Sequence, residues 1–579
     1  MLEFISTLKQ RYQTIQLGLV QQSIQWSHYQ ECIEQLILIE AFLHKGHLIN
    51  NKMHPLHIAV IGPTQSGKST LVNLLLNQEA AGVSPLAGFT VHPQAFSADL
   101  SNDALIEVAE HFSGFQKVEQ FSLSPEKYNS YSLTPISSAQ LSGCMLWDTP
   151  DFDSIDAQSY KEGVLKTLAL ADVLVLVVSK EKYADQSVWD ILALLEPLNQ
   201  SLLVVINKLV ADSEQLIIDS FIERWQQVRS DSPPPIFPIL FAKDHNLINQ
   251  QAGLNDLLQS SIKQVKRKNY DQAAYAFIRQ NWAEWVAPIT LEIEAQAHWQ
   301  SIISQTLKDA LDIYKRDYLD HPQHYDTFQN ALAKLLTLLE VPGIAKVLMQ
   351  SRKVLTWPLR KVFSLGRKVS KATYPETKET EVLQQIAEHV LLQVSDKVLD
   401  QIDQVQGNNK WWKQINSQLR QDKTLILDDF AHKTELYHEN FKQDIEATAQ
   451  GLYTKLEEHP AILNSLRATR VTTDAAMLAL TVQAGGIGLH DLLIAPAMLS
   501  VTSYLAESAV GSYLHRAEAE LKQRQLHTVK ELLFTQVIHQ VLQKLPEEMA
   551  QTTHFNISAE QLATAEAQLK IKPHGLRIL

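Results

Sequence analysis

The chain has 579 residues, 45% hydrophobic and 20% charged, with a formal net charge of −13. That length allows two to four domains, and the acidic balance disfavours non-specific nucleic-acid binding. The two cysteines, Cys32 and Cys144, exclude a disulfide framework and fit a reducing compartment.

The first residues, MLEFISTLKQRYQ, lack a basic segment followed by an apolar core, so no signal peptide is predicted. No charge-free apolar run is long enough for an ordinary membrane-spanning helix. The expectation is a cytoplasmic protein, with peripheral membrane association left open. The histidines are scattered, without metal-ligand spacing.

Residues 1–54 carry helical periodicity, as in Cys32, Leu36, Ile39 and Leu43, and Lys45-Gly46-His47 reads as the helix stop. From 55 to 266, short apolar strands alternate with helices, which predicts an α/β domain with a mostly parallel sheet and helices on both faces. The strand candidates are Leu56–Ile61, Gly143–Trp147, Val173–Val178, Leu202–Ile206 and Ile236–Phe241. Their nearly continuous apolar character marks central strands buried on both faces.

Between the first strand and a helix opening at Thr70 lies Gly62-Pro63-Thr64-Gln65-Ser66-Gly67-Lys68-Ser69, a complete phosphate-binding loop. Gly62 lets the chain turn out of the strand, and Gly67 lets the backbone approach an anion. Loop amides and the helix N-terminus then point at phosphate oxygens. Lys68 has the reach for the β- and γ-phosphates, and the Ser69 hydroxyl suits magnesium. Further along, Thr90 lies between Gly88 and Pro93, flanks that suit a loop. The interval from Val91 to Asp148 predicts an extra element that includes a helix over Ala104–Phe112. Leu146-Trp147-Asp148-Thr149-Pro150 then places an acid at a strand end, where it suits a magnesium water opposite Ser69. The plain alternative is an Asp that caps the next turn.

GPTQSGKST, Thr90, Asp148-Thr149-Pro150 and Asn207-Lys208, in this order, resemble GTPases of the Era- and dynamin-related group over residues 55–266. The resemblance implies GTP/GDP bound with Mg2+ by residues Gly62 to Thr70 and by Asn207, Lys208, Ala242 and Lys243. It implies Ser69, Thr90 and Asp148 as the metal site, and Lys68, Thr90 and Gln65 as the catalytic set. Gln65 stands where potassium-activated relatives carry Asn; either it helps hold a monovalent ion such as K+ or it only bonds its own loop.

Three positions depart from the pattern. Asp151 replaces the second-switch Gly, an acid unfavourable beside a γ-phosphate unless it points away. Phe152 stands where Ras-like members carry a water-orienting Gln. Val210 replaces the base-reading Asp, with Asp212 the nearest acid. The resemblance favours guanine over adenine, and pairing of two GTPase domains is common in the group.

Residues 267–579 read as a helical bundle or stalk. Within them, Val341–Lys371 holds eight basic residues and no acidic one, interleaved with Trp357, Phe363 and aliphatics. Such a stretch suits an anionic membrane surface, the protein's own acidic surface or, least, nucleic acid. Residues 475–514 form two apolar arms flanking His490-Asp491, rich in small residues. They suit either a buried hairpin or a shallow membrane paddle. Two function classes remain: a GTPase driving a helical arm, and a nucleotide-gated scaffold with negligible turnover. A ribosome-assembly role is opposed by the acidic balance and the lack of an RNA-binding pattern.

Overall fold

The computed structural model describes residues 1–49, 55–83, 90–97, 102–119, 128–136, 141, 143–153, 157–210, 213–240, 247–267, 270–321, 326–338, 378–404, 409–466, 505, 507–508, 510–549 and 552–570. The basic segment 341–371, and the hairpin 475–514 except residues near 505–514, lie outside them. The expected boundaries at 54 and 266 follow sequence pattern. By contacts the chain divides into two compact units, Met1–Ile293 with Ala550–Leu579, and Glu294–Met549.

The first unit is built on eight strands: β1 Leu56–Ile61, β2 Gln94–Ser97, β3 Gln116–Lys117, β4 Ser130–Pro135, β5 Cys144–Asp148, β6 Val173–Ser179, β7 Ser201–Leu209 and β8 Ile236–Leu240. Their order is β3-β4-β2-β5-β1-β6-β7-β8. Every pairing is parallel except β2 with β5. Side chains alternate across the sheet with the two-residue strand period. Ile58 and Val60, Val173, Val175 and Val177, and Leu203 and Val205 enter one core. Ala59 and Ile61, Leu174, Leu176 and Val178, and Val204 and Ile206 enter the other. This is why the central strands read as unbroken apolar runs.

Helices cover both faces. One core takes Leu71, Val72 and Leu75 of α3 (Lys68–Leu76) and Leu254 and Leu258 of α8 (Leu247–Gln264). The other takes α1 (Leu2–Gln16), α2 (Ile24–Ile49), α5 (Ala157–Leu170), α6 (Gln186–Leu195), α7 (Glu214–Val228) and the part of α9 (Tyr270–Tyr314) that ends at Ile293. The C-terminal helix Ala559–Lys570 joins the same core through Leu562, Ala565 and Leu569. Tyr12 Oη donates to Trp285 O (2.9 Å), Trp285 Nε1 to Gln35 Oε1 (2.7 Å), and Phe555 N to Glu292 Oε2 (2.8 Å). The N-terminal segment is therefore two helices, docked on the sheet domain's helical face.

The helix stop expected at Lys45-Gly46-His47 is not one, because α2 continues to Ile49. Lys45 is buried and bonded to Ala171 O (2.6 Å), which anchors the last turn. The helix predicted over Ala104–Phe112 is α4, Asn102–His111. Its neighbour Phe112 stacks on Trp147 of β5 (5.3 Å) and on Tyr131 of β4 (4.9 Å), which seats the inserted element on the sheet. One metal-ligand spacing does occur: His28 and Cys32, one turn apart on α2, have ligand atoms within 4.8 Å of each other and of Glu284. Burial pushes the Cys32 thiol up to about 12, so it stays protonated.

The second unit is helical throughout its described residues. The rest of α9, α10 (Asp326–Leu338) and the helices Lys378–Gln404, Asn409–Glu457, Gly511–Val529 and Gln540–Glu548 share one apolar core. A π-helical stretch, Lys530–His539, joins the last two. Among the described residues, no helix is long and apolar enough to cross a membrane.

Candidate nucleotide site

The phosphate loop leaves β1 and enters α3, whose first residue is Lys68. Gly62 is required by space: a Cβ there would lie 2.1 Å from Val177 O on β6. Gly67 is required by both conformation and space, with φ +100° and a would-be Cβ 2.3 Å from Asn207 Nδ2. Gln65 is also left-handed, at φ +58°, and exposed. The loop is tied to the end of β7. Asn207 Nδ2 donates to Ser66 O (2.9 Å), and Lys208 Nζ donates to Gln65 O (2.7 Å). The phosphate loop and the base candidates Asn207 and Lys208 are thus brought together by the parallel sheet, which sets the C-terminal ends of β1 and β7 on one edge.

Beside them, Ser69 Oγ donates to Asp148 Oδ2 (2.6 Å) at the end of β5. Asp148 is fully buried, and its Oδ1 has no hydrogen-bond partner among the described residues. Burial pushes its carboxyl up to about 6; Ser69 and Lys68 pull it down, and the Asp151 charge raises it. A hydroxyl, an adjacent carboxylate and an orphaned buried oxygen fit a hard divalent cation. Thr149 locks the strand end in place, Oγ1 donating to Val60 O (2.8 Å). Thr90 is half-buried in the chain entering β2, four residues before Gln94, the β2 residue that pairs with Asp148 of β5.

One relationship reverses the sequence expectation. Asp151 does not point away: its carboxylate is paired with Lys68 Nζ, and Lys68 also donates to Pro63 O (3.1 Å). Two residues on, Asp153 Oδ1 accepts from the Thr64 amide and from Thr64 Oγ1 (2.7 Å), while Oδ2 accepts from Lys182 Nζ (2.6 Å). Phe152, between them, is buried. None of these partners could be read from the sequence, because the bonded residues lie up to 89 positions apart.

A cavity of about 780 Å3 opens from Gly67 and Thr70 toward Asn207, Lys208 and the end of β8. Its far wall, Glu79 to Val83, is shaped by Asn73, which accepts from the Ala80 amide (2.9 Å) and the Ala81 amide (2.7 Å) and donates to Ala81 O (2.9 Å). Asn73 and Glu79 also line this cavity, and no sequence motif marks them. Val210 is half-exposed, 54% accessible, and does not line the cavity. Asp212, Ala242 and Lys243 lie outside the described residues.

The family model for the 50S ribosome-binding GTPase matches residues 57–208. The chain matches no curated protein. Among solved structures it is similar to an oligomerised bacterial dynamin pair described as sensing and tethering membranes at long range, at 11% identity over 98% of this chain and 95% of that chain, TM-score 0.39. It is also similar to Aquifex aeolicus Era bound to GDP·AlF4−, at 20% identity over 35% of this chain and 56% of that chain, TM-score 0.23. With its phosphate loop, Asp148 and Asn207-Lys208 on one sheet edge, the chain carries a GTPase domain over the matched residues 57–208.

Proposed function

We propose that this protein binds guanine nucleotide with magnesium, hydrolyses GTP to GDP and phosphate, and uses the nucleotide state to move the helices that begin at Tyr270. The observation that carries the reading is the Ser69–Asp148 pair, with one Asp148 oxygen buried and unpartnered among the described residues. Phosphoryl transfer needs charge neutralisation and positioning more than covalent chemistry. In this reading Lys68 would hold the β- and γ-phosphate oxygens, and Ser69, Thr90 and Asp148 would hold the magnesium, which would neutralise phosphate charge when bound. The loop from Gly62 to Thr70 cradles the phosphates with its backbone N–H groups, which Pro63 lacks, and Asn207 and Lys208 face the base end of the cavity. Phe152 is apolar, so orienting the attacking water falls to Gln65, with K+ as its partner, or to a residue from another molecule.

Coupling to the helices has a direct route. β6 presents Val177 to Gly62, and the residue just before β6 is Asp172. Asp172 bonds Arg267 (2.7 Å) and the Tyr270 hydroxyl at the start of α9. Membrane contact rests on the basic segment 341–371, worth on the order of 1 kcal/mol per charge at an anionic surface.

The test is phosphate release and fluorescent-nucleotide binding by the full chain and by Lys68→Ala. Turnover is expected to fall at least 100-fold, and more phosphate release from GTP than from ATP is expected, with potassium and sodium compared. Unchanged turnover in the variant overturns the assignment. The Lys68–Asp151 pair favours a second reading, a nucleotide-gated scaffold, and flat phosphate release despite tight GTP binding selects it. Flotation with anionic vesicles, against a chain lacking 341–371, tests the membrane surface.

A further inference from the structure

At the position where the resembled group has a glycine, this chain places a carboxylate inside the phosphate site. The Asp151 and Lys68 side chains are 12% and 6% exposed, so their attraction acts in a poorly screened environment. Lys68 is also the one ammonium within the phosphate loop itself. It cannot serve Asp151 and a full set of β- and γ-oxygens together, so a triphosphate must break the pair. The released carboxylate then faces the γ-phosphate, like charge against like charge. A diphosphate ends one phosphate short and meets less of this repulsion.

The same stretch is fastened a second time. Asp153 holds Thr64 at the other side of the loop and Lys182 beyond β6. Residues 151–153 therefore bridge Thr64, Lys68 and Lys182, and displacing Asp151 strains the Asp153 bonds two residues away.

Resting on the reading of this site as a guanine-nucleotide site, we propose that Asp151 is a specificity-determining residue that stands in for the γ-phosphate. It favours GDP over GTP, and triphosphate binding expels residues 151–153 from the loop. The second switch then opens on GTP, where a glycine at this position would be drawn in.

The experiment measures dissociation constants for GDP and GTPγS with full-length protein, Asp151→Gly and Asp151→Asn. The Asn variant keeps the side-chain shape, so a misfolded Gly variant does not decide the result. The wild type is expected to prefer GDP at least tenfold. Both variants are expected to tighten GTPγS at least tenfold while changing GDP less than threefold. Hydrogen exchange over 148–153 in the wild type is expected to be faster with GTPγS than with GDP. A GTPγS-to-GDP ratio unmoved by Asp151→Asn, or exchange that slows with GTPγS, overturns the proposal while leaving nucleotide binding intact. Failure of all three proteins to bind either nucleotide overturns the nucleotide reading itself, and the proposal with it.

Discussion

Lys45 Nζ lies 3.0 Å from Asp172 Oδ1, and neither side chain reaches solvent. Lys45 comes from α2, Asp172 from the turn into β6, and Arg267 and Tyr270 close on the same carboxylate from the approach to α9. The His57 amide also donates to Asp172 Oδ2 (2.9 Å), adding β1. Burial pulls the Lys45 ammonium down to about 8 against the attraction of Asp172. Burial alone would raise the Asp172 carboxyl, but Lys45 and Arg267 hold it well below the usual carboxylate range. Asp172→Asn removes the carboxylate charge that Lys45 and Arg267 share. Removing one partner of a buried pair costs about 3–5 kcal/mol. Urea-dependent hydrogen exchange of β6 peptides at pH 7 measures this, and a loss under 1 kcal/mol contradicts it.

His111 gives the sheet domain an acid-sensitive point. It ends α4, is buried, and its Nε2–H donates to Lys166 O (2.8 Å). Burial, with Lys166, His44 and Lys45 adding positive charge nearby, lowers its imidazole to about 3, although the Lys166 carbonyl opposes the shift. An unfolded histidine titrates near 6.5, so between these values the unfolded chain binds the extra proton. Stability is thus complete above about pH 6.5 and falls as the pH drops toward 3. At pH 5 the loss from this group is about 2 kcal/mol. His111→Gln keeps a side-chain donor without the titration. The difference in urea stability between pH 7 and pH 5 should shrink by about that amount. An unchanged difference assigns the acid sensitivity elsewhere.

What the sequence revealed follows burial. β1 is legible to the residue because both of its faces are covered, and β6 and β7 are found with ends short by one to three positions. β2 and β4 are not legible: Gln94–Ser97 and Ser130–Pro135 carry polar residues, and β3 is two residues long. Pairing with β5, not strand propensity, holds β2 in place. The phosphate loop is legible because its chemistry is local. The partners of Lys68, Thr64 and Ser69 are not, since a motif at 62–69 says nothing about which way the carboxylates at 148–153 turn. Likewise, the docking of Tyr12, Trp285 and Phe555 joins residues hundreds of positions apart, and no period in the sequence encodes it.

Glu379 is the polar centre of the second unit. Its Oε1 accepts from Tyr314 Oη (2.6 Å), Tyr437 Oη (2.8 Å) and Gln525 Nε2 (2.8 Å). Four helical segments meet at that one oxygen. Burial, reinforced by the Glu379 charge, holds the Tyr314 and Tyr437 phenols well above their ordinary value, so both remain donors. Gln525 also donates to Thr327 Oγ1 (3.0 Å), which is bonded to Tyr318 Oη (2.7 Å). Glu379→Leu removes the acceptor and leaves three buried donors, each costing about 1–3 kcal/mol when unsatisfied. Glu379→Gln keeps an acceptor oxygen and should lose at least 1.4 kcal/mol less than Leu, a tenfold difference in the folding constant. If the donors are the cause, adding Tyr314→Phe, Tyr437→Phe and Gln525→Leu to Glu379→Leu should recover stability, because no polar group is then stranded in the core. Exchange protection of Lys378–Gln404 peptides reads each variant. Equal losses for Gln and Leu, or no recovery in the quadruple variant, would show that side-chain volume and not the hydrogen-bond hub holds these helices together.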